Sequence, residues 1–189
     1  MFQVAHVNRP LPVFKIIQDK EMNNNFKDII LEHRKNNPQS NESNVKAWHS
    51  SWVTHQENPK FQPLLDFISN ACSIISSQYF NLSEVDWEVK NLWAMMYEKG
   101  DYTVKHDHSI FPLIFSSCYY VDVEPDASPI IFESPEEDGV NDNNKPLIIS
   151  PENGMILIWP SLLKHEVPPT NGQRMAISMN IDYKPKENV

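Results

Sequence analysis

Cysteine is scarce in this chain, which has only Cys72 and Cys118 among 189 residues. Their separation does not match any metal-binding motif, so a cysteine-based metal site is not expected. We expect each thiol to pack as a small apolar side chain rather than to form a disulfide. This use of cysteine suits the reducing environment of the cytoplasm.

Positively charged residues are also few: the chain has 16 lysines and arginines but 25 aspartates and glutamates, which gives a formal net charge of −9. Nucleic acids and anionic membranes are bound mainly through cations, so neither is expected as a partner. The sequence shows no secretory signal pattern and no apolar stretch of membrane-spanning length. We expect a soluble, cytoplasmic protein, and the composition leaves an oligomer possible.

Apolar residues are sufficient for a folded core, since 40% of the chain is hydrophobic and 11% is aromatic. We expect one domain over residues 1–189, with a helical part over 1–85 packed on a strand-rich core over 86–189. Apolar residues recur at helical spacing over 19–36. A second helix with a broad apolar stripe should begin after Pro59 and pack on a sheet.

The second part of the chain reads as about eight short strands separated by turn residues. This pattern predicts a mainly β fold with flanking helices, namely a double-stranded β-helix (a jelly roll of the cupin-like kind) supported by the N-terminal helices. The acidic segment 133–145 is expected to be an exposed loop, with a substrate lid as the alternative. The predicted strands cover residues 90–98, 102–109, 113–123, 129–133, 147–149, 155–159, 164–167 and 173–183.

Three histidines carry the chemistry that the sequence suggests. His106 and His108 lie two residues apart on a predicted strand, so they share one face, and His165 follows on a distant strand. Imidazole is the commonest protein metal ligand near neutral pH, and the barrel should bring the two segments together. Taken alone, His106 and His108 could equally well be two surface histidines at the end of a strand. His49 and His55 lie outside the predicted barrel and are expected to have surface roles.

Asp107 complicates the ligand assignment. The usual non-haem iron site has two histidines and one carboxylate, which leaves coordination positions open. Here His108 stands where the carboxylate is expected, and Asp107 should point to the other face of a regular strand. We therefore prefer a set of three histidines, with Asp107 as the alternative ligand or as an acceptor for an imidazole N–H.

Arg174 is the second chemical signal, nine residues after His165. Strand alternation places it with Ala176, Ser178 and Asn180 on the inward face, opposite the apolar face of the same strand. A buried arginine needs an anionic partner, and its planar fork matches a carboxylate. A structural salt bridge is one explanation, and a receptor for a substrate carboxylate is the other.

The segment from Trp93 to Asn180 resembles the iron(II)/2-oxoglutarate-dependent oxygenases, within the prolyl-hydroxylase-like group and near a set of oxygenases of phages and marine bacteria. The resemblance rests on Gly100 with 106–108, the run 117–121, the strand 154–160, the run 165–167 and the strand 174–180, with 48–50 upstream. It covers the second half of the chain well and the helical half weakly.

This resemblance implies a hydroxylase that couples oxidative decarboxylation of 2-oxoglutarate to succinate with hydroxylation of a small-molecule or peptide substrate. Iron(II) would be held by His106, His108 and His165, and O₂ would be the oxidant. The distal carboxylate of 2-oxoglutarate would lie on Arg174, with Ser178 and one tyrosine of the Tyr119–Tyr120 pair, for which we take Tyr119, as further contacts. A peptidyl proline is the substrate that the resemblance suggests.

Asn91, Trp93 and Asn180 are candidates for the pocket wall, because they lie on inward-facing strand positions. Two other functions remain open at this point. One is a cupin-like three-histidine metalloprotein that does not use 2-oxoglutarate, and the other is a non-catalytic jelly-roll binding module.

Overall fold

The computed structural model describes residues 3–4, 12–17, 20–40, 43–83, 85–108, 114–133 and 145–185. Most of the acidic segment 133–145 therefore lies outside the described residues, so its role as a loop or lid stays a prediction. Among the described residues, no helix is long and apolar enough to span a membrane.

Both helices predicted from the periodicity are present. Helix α1 covers Lys20–Asn36 and helix α3 covers Gln62–Tyr79, with the short helix α2 (Thr54–Glu57) and a 3-10 turn (Pro59–Phe61) between them. α3 packs on the strand Val85–Tyr97 and α1 on the strand Phe115–Val123. The apolar stripe of α3, including Leu64, Ile68 and Ile75, is fully buried there, as its sequence predicts.

All eight predicted strands form, and in the described part of the chain four short strands precede them. The first four are β1 (Gln3–Val4), β2 (Phe14–Ile17), β3 (Val45–Lys46) and β4 (Trp48–His49). The next eight are β5 (Val85–Tyr97), β6 (Tyr102–His106), β7 (Phe115–Val123), β8 (Ile130–Phe132), β9 (Leu147–Ile149), β10 (Met155–Pro160), β11 (His165–Val167) and β12 (Arg174–Pro185). The part before residue 85, which was expected to be helical, thus also contributes strands.

The strands form two antiparallel sheets. The larger has the order β1-β2-β10-β7-β12-β5-β4 and the smaller has the order β3-β6-β11-β8-β9. One apolar core lies between the larger sheet and the helices, and a second contains side chains from both sheets. This is the mainly β jelly roll with flanking helices that the strand pattern predicts.

Strand β12 shows how the two cores are separated. Met175, Ile177 and Met179 belong to the core on the helix side, whereas Ala176 belongs to the core between the sheets. Because side chains alternate, Arg174 and Ser178 share the face of Ala176 and line the cavity between the sheets. The inward face predicted for Arg174 is therefore confirmed.

Candidate metal and co-substrate site

The three histidines predicted to act together lie side by side at one end of the smaller sheet. His106 closes β6 and His165 opens β11, and the two are direct partners in the antiparallel pairing. His108 follows two residues later, and its backbone N–H donates to the Ser161 carbonyl at 3.0 Å. The imidazole centroids of His106 and His165 are 4.3 Å apart, and those of His108 and His165 are 5.6 Å apart. Candidate ligand nitrogens of all three rings lie within 4.8 Å of one another.

The tautomers of two of these rings suit metal binding. Nδ1 of His106 lies 2.9 Å from the Val104 carbonyl, and Nδ1 of His165 lies 2.9 Å from the Leu163 carbonyl. A carbonyl can only accept, so each Nδ1 carries the proton and each Nε2 keeps its lone pair for a ligand. The backbone therefore fixes both rings in the state that an ion requires.

Burial keeps the imidazoles neutral. Burial, together with the neighbouring His106, lowers the pKa of His165 to about 3. Burial and the proximity of His106 lower the pKa of His108 to about 4, and burial also lowers the pKa of His106. Metal binding needs deprotonated imidazoles, so three neutral rings in contact fit a divalent cation.

Asp107 is not part of the group of candidate ligand atoms, which consists of the three imidazoles. Its carboxylate acts on them electrostatically and opposes the lowering of each pKa. It lines an outer cavity of about 470 Å³ together with His106 and His108. We call this cavity the vestibule; its other lining residues are Asn44, Trp52, Asn91 and Asn180.

A second cavity lies between the two sheets on the inner side of the histidines. This inner chamber encloses about 50 Å³ and is lined by the three histidines, Arg174 and Ser178. Asn44, Trp52, His106, His108 and Asn180 line both the chamber and the vestibule. His106 and His108 therefore lie where the two cavities meet, and His165 lies on the side of the inner chamber.

Arg174 is buried in this chamber, with 3% of its surface exposed. Its guanidinium carbon lies 4.5 Å from the centroid of the Tyr97 ring and 5.2 Å from that of Tyr120. Its Nη1 donates a hydrogen bond to the Ser128 carbonyl at 3.3 Å, and its Nε has no acceptor within the described part of the chain. No carboxylate of the described residues forms an ion pair with it. A structural salt bridge within these residues is thus excluded.

The tyrosine assignment needs a correction. Tyr119 belongs to the core on the helix side, where its ring packs edge-on against Phe26 at 5.8 Å. Tyr120, the next residue, faces the core between the sheets and lies over Arg174. Because neighbours on a strand point to opposite faces, Tyr119 cannot contact the chamber that Arg174 lines.

Tyr97 was not predicted from the sequence, although its ring lies closer to the guanidinium of Arg174 than the ring of Tyr120 does. Its hydroxyl shares a hydrogen bond with Thr103 Oγ1 at 2.6 Å. The signal was present, because Tyr97 stands two and four residues after Met95 and Trp93 on the inward face of β5.

The remaining pocket candidates lie around the two cavities. Trp93, Ser178 and Asn180 line the inner chamber, and Asn91 lines the vestibule. Asn91 and Asn180 are direct partners in the pairing of β5 with β12. The structure therefore brings all of them to one site, apart from Tyr119.

Several polar hydrogens lining the chamber lack an acceptor in the described residues. They belong to Nε1 of Trp93, Nε1 of Trp159, Oγ of Ser117 and Nε of Arg174. Buried donors are normally satisfied, so an enclosed space with several open donors fits an acidic, oxygen-rich molecule.

His49 is not a surface residue, contrary to the expectation from sequence. It is fully buried on β4, its ring stacks on Trp93 at 5.8 Å, and its Nδ1 lies 2.6 Å from the Ser50 carbonyl. Both cysteines are free and buried, as predicted.

The fold, the histidine cluster and the buried arginine together define a jelly-roll protein with a candidate metal site beside a buried cation. Residues 91–182 match the family model described as "Putative 2OG-Fe(II) oxygenase". The match covers just under half of the chain, and it bears out the resemblance to the 2-oxoglutarate- and iron(II)-dependent oxygenases that was drawn from the sequence.

Solved structures of this class share the fold at low identity. A prolyl-4-hydroxylase from Pseudomonas putida has a TM-score of 0.68 at 12% identity, over 93% of each chain. A prolyl hydroxylase from Trichoplax adhaerens, solved with a hypoxia inducible factor peptide fragment, has a TM-score of 0.66 at 15% identity, over 88% of this chain and 82% of that one. HygX from Streptomyces hygroscopicus, with nickel and 2-oxoglutarate bound, has a TM-score of 0.66 at 10% identity, over 92% and 82%. No curated protein matches the chain.

Proposed function

We propose that this protein is an iron(II)- and 2-oxoglutarate-dependent dioxygenase that hydroxylates its substrate while 2-oxoglutarate is converted to succinate. The observation that carries the proposal is Arg174, a buried cation without an anionic partner among the described residues, in a chamber that three neutral imidazoles also line. Burying an unpaired charge costs several kcal/mol, roughly, so such a group is retained where a ligand supplies the missing carboxylate.

The residues present fit both groups that the family implies. His106, His108 and His165 would hold iron(II), since the backbone leaves Nε2 of the first and third free to bind. Iron(II) with 2-oxoglutarate supplies the activation of O₂ when both are bound. Arg174 would bind the distal carboxylate of 2-oxoglutarate, with Tyr97, Tyr120 and Ser178 fixing its position.

The two cavities give the reactants separate places. 2-Oxoglutarate would occupy the inner chamber, where its oxygens could accept hydrogen bonds from the donors that lack an acceptor in the described residues. The substrate would enter through the vestibule, on the other side of His106 and His108. A peptidyl proline is a candidate substrate on the strength of the similar prolyl hydroxylases. The two free thiols are in keeping with the cytoplasm as the location.

A second candidate is a three-histidine metalloprotein that does not use 2-oxoglutarate. The observation in its favour is His108, an imidazole at the position where the common iron site has a carboxylate. The two candidates differ in what they require of Arg174.

Succinate formation from 2-oxoglutarate with iron(II) and ascorbate separates them. We expect turnover by the wild-type protein and a loss of about 100-fold or more in Arg174→Ala, because a buried charge-assisted contact is removed. Arg34→Ala is the matched control, since it deletes an arginine at the surface whose partner is Glu98 at 3.3 Å, and it should retain turnover.

Metal binding is tested separately with His165→Ala, which should lower the affinity for manganese(II) by about 100-fold or more. His55→Ala, outside the cluster, should not change it. A protein that binds metal through His165 but forms no succinate would favour the second candidate. A protein that binds no divalent metal would contradict both.

A further inference from the structure

His49 is a fully buried histidine that the proposed function does not use. It lies on β4, within the run 48–50 that forms part of the resemblance drawn from the sequence. Pairing of β4 with β5 places His49 opposite Met95, and its ring reaches Trp93 on the inward face of β5. Because Trp93 lines the inner chamber, His49 lies behind the wall of the candidate site.

The ring plane of His49 is fixed by a hydrogen bond to the backbone. Its Nδ1 lies 2.6 Å from the Ser50 carbonyl, which can only accept, so Nδ1 carries the proton. Burial lowers the pKa of His49, in keeping with a neutral ring. The last torsion of a histidine side chain has a broad minimum, so this hydrogen bond selects one orientation of the imidazole. A phenyl ring has no donor with which to be held in this way.

The imidazole of His49 also has a cost that a hydrocarbon ring would not have. Its Nε2 is buried and has no hydrogen-bond donor within the described residues. A buried acceptor without a partner lowers the stability of the folded state. Packing alone would therefore be served better by phenylalanine, and the property that histidine adds at this position is the orienting hydrogen bond.

Trp93 stacks on this oriented imidazole. The planes of the two rings are inclined by 13°, and their centroids are 5.8 Å apart. The ring of Trp52 contacts both of them, at 4.5 Å from His49 and 4.7 Å from Trp93. Trp93 is only 5% exposed, so a close-packed group of three rings leaves its indole little room to change orientation.

The indole of Trp93 also contacts His108, one of the three candidate ligands. The ring centroids are 6.4 Å apart, and the planes are inclined by 33°. His108 lies two residues beyond the end of β6, whereas the rings of His106 and His165 lie on paired strands and donate from Nδ1 to backbone carbonyls. The packing of the His108 ring against Trp93 therefore constrains a ligand that lies outside the strands.

From these contacts we infer that His49 is a positioning residue for the metal site and acts on His108 through Trp93. The Ser50 carbonyl fixes the plane of His49, which supports Trp93. The indole of Trp93 then limits the orientations that the His108 ring can take. Groups behind a ligating histidine tune the affinity of a site because they orient the ligand. The inference rests on the metal site of the proposed function and concerns how one of its three ligands is held.

Cobalt(II) tests the inference, because its unpaired electrons displace the NMR signals of the ring protons of the histidines that bind it. These signals are assigned in the full-length, cobalt-loaded protein through their contacts with neighbouring protons. His49→Phe keeps a ring and removes the donor, so it should displace the signals of His108 more than those of His106 and His165. Cobalt affinity should fall by about three- to tenfold, which is at or below the lower end of the effect of a group that contacts the ligand directly.

His33→Phe is the matched control. His33 is also a buried histidine, 8% exposed, and it packs edge-on against a tryptophan, Trp48, at 6.3 Å, but it belongs to α1. This variant should leave cobalt affinity and the signals of all three ligands unchanged, whatever its effect on thermal unfolding. Trp93→Phe is the second variant on the proposed path. It should displace the same His108 signals, and it decides the question if His49→Phe does not fold.

The outcomes separate the inference from the proposed function. Unchanged His108 signals in folded His49→Phe or Trp93→Phe, or an equal displacement of the signals of all three ligands, would overturn the positioning role even if the wild type forms succinate. A selective displacement of the His108 signals without any succinate formation would retain the positioning role and refute the oxygenase. A wild-type protein in which cobalt(II) displaces no histidine signal would contradict both.

Discussion

At the scale of single residues, Arg174 is the side chain whose burial demands an explanation. Protein interiors bury charges when the charges are paired, and the described residues offer this one two aromatic rings and one carbonyl. Cation–π contacts of this kind are worth about 1–2 kcal/mol each, which offsets only part of the desolvation cost. A bound carboxylate would supply the anionic partner that the described residues do not provide.

Replacing this arginine should separate stability from function. We expect Arg174→Met to leave the free energy of unfolding of the ligand-free protein unchanged or to raise it by about 1 kcal/mol, because an apolar side chain of similar length removes the buried charge. The same variant should lose the stabilisation by 2-oxoglutarate that the metal-loaded wild type shows. Thermal unfolding with and without 2-oxoglutarate measures both effects. A loss of several kcal/mol in the ligand-free state would instead indicate a structural ion pair.

Strand alternation decides which residues of the candidate site can be predicted from the sequence. His106 and His108, and likewise Arg174 and Ser178, could be placed on one face because their spacing along a strand is even, whereas His165 was placed beside the first pair by the expected barrel. Choosing Tyr119 over Tyr120 failed because the start of the alternation along β7 depends on which sheet face the helices cover, and this is a tertiary fact.

At the scale of elements, the turn between β5 and β6 connects the side of the site that holds Arg174 with the side that holds the histidines. It leads from Tyr97, beside the arginine, to the strand that ends at His106. Asp101 N–H donates to the Glu98 carbonyl at 2.9 Å, and Gly100 adopts a φ of 89°. A Cβ at Gly100 would meet no atom within 4 Å, so the backbone angle alone requires glycine there.

Substitution in this turn should therefore act through backbone strain alone. We expect Gly100→Ala to lower the free energy of unfolding by about 1 kcal/mol, and Gly100→Asn to lower it less, because asparagine tolerates positive φ better. Urea denaturation followed by circular dichroism gives both values. Equal losses in the two variants would point to a lost contact in place of strain.

The elements themselves were largely predictable, because β5 to β12 and the two long helices show clear periodicity over several residues. The strands that were missed, such as β3 and β4, have two residues each. They form because their partners β6 and β5 present open edges, which is information that local sequence does not contain. His49 was misjudged for the same reason, since pairing of β4 with β5 carries its ring onto Trp93.

At the scale of the whole molecule, the site is embedded between two sheets while a separate core binds the helices to the larger sheet. The side chains of the candidate metal site therefore lie on strands and the segments next to them, whereas α1 and α3 pack on the opposite face of the larger sheet. It also means that the histidines are buried together, so their protonation is coupled to folding.

This coupling predicts a stability that depends on pH in the metal-free protein. In the unfolded chain a histidine binds its proton as the pH falls through about 6.5, whereas burial lowers the pKa of His108 to about 4 and that of His165 to about 3 in the folded protein. Between these values the unfolded state binds more protons than the folded state, so the free energy of unfolding falls as the pH decreases from about 6.5 to 4.

The size of the effect can be measured by urea denaturation of the metal-free protein at pH 7 and pH 5. Each unit by which a pKa is lowered corresponds to about 1.4 kcal/mol, so each of the two histidines should contribute a loss of at most about 2 kcal/mol over this interval. Protonation of the many surface carboxylates acts in the opposite direction, because it reduces the net negative charge.

The variant His165→Asn isolates the histidine contribution, because it keeps the surface charge. Its free energy of unfolding should fall less between pH 7 and pH 5 than that of the wild type. If the two proteins show the same dependence on pH, the His165 imidazole is not buried in its neutral form, and the same ring would then be a weaker ligand for the metal.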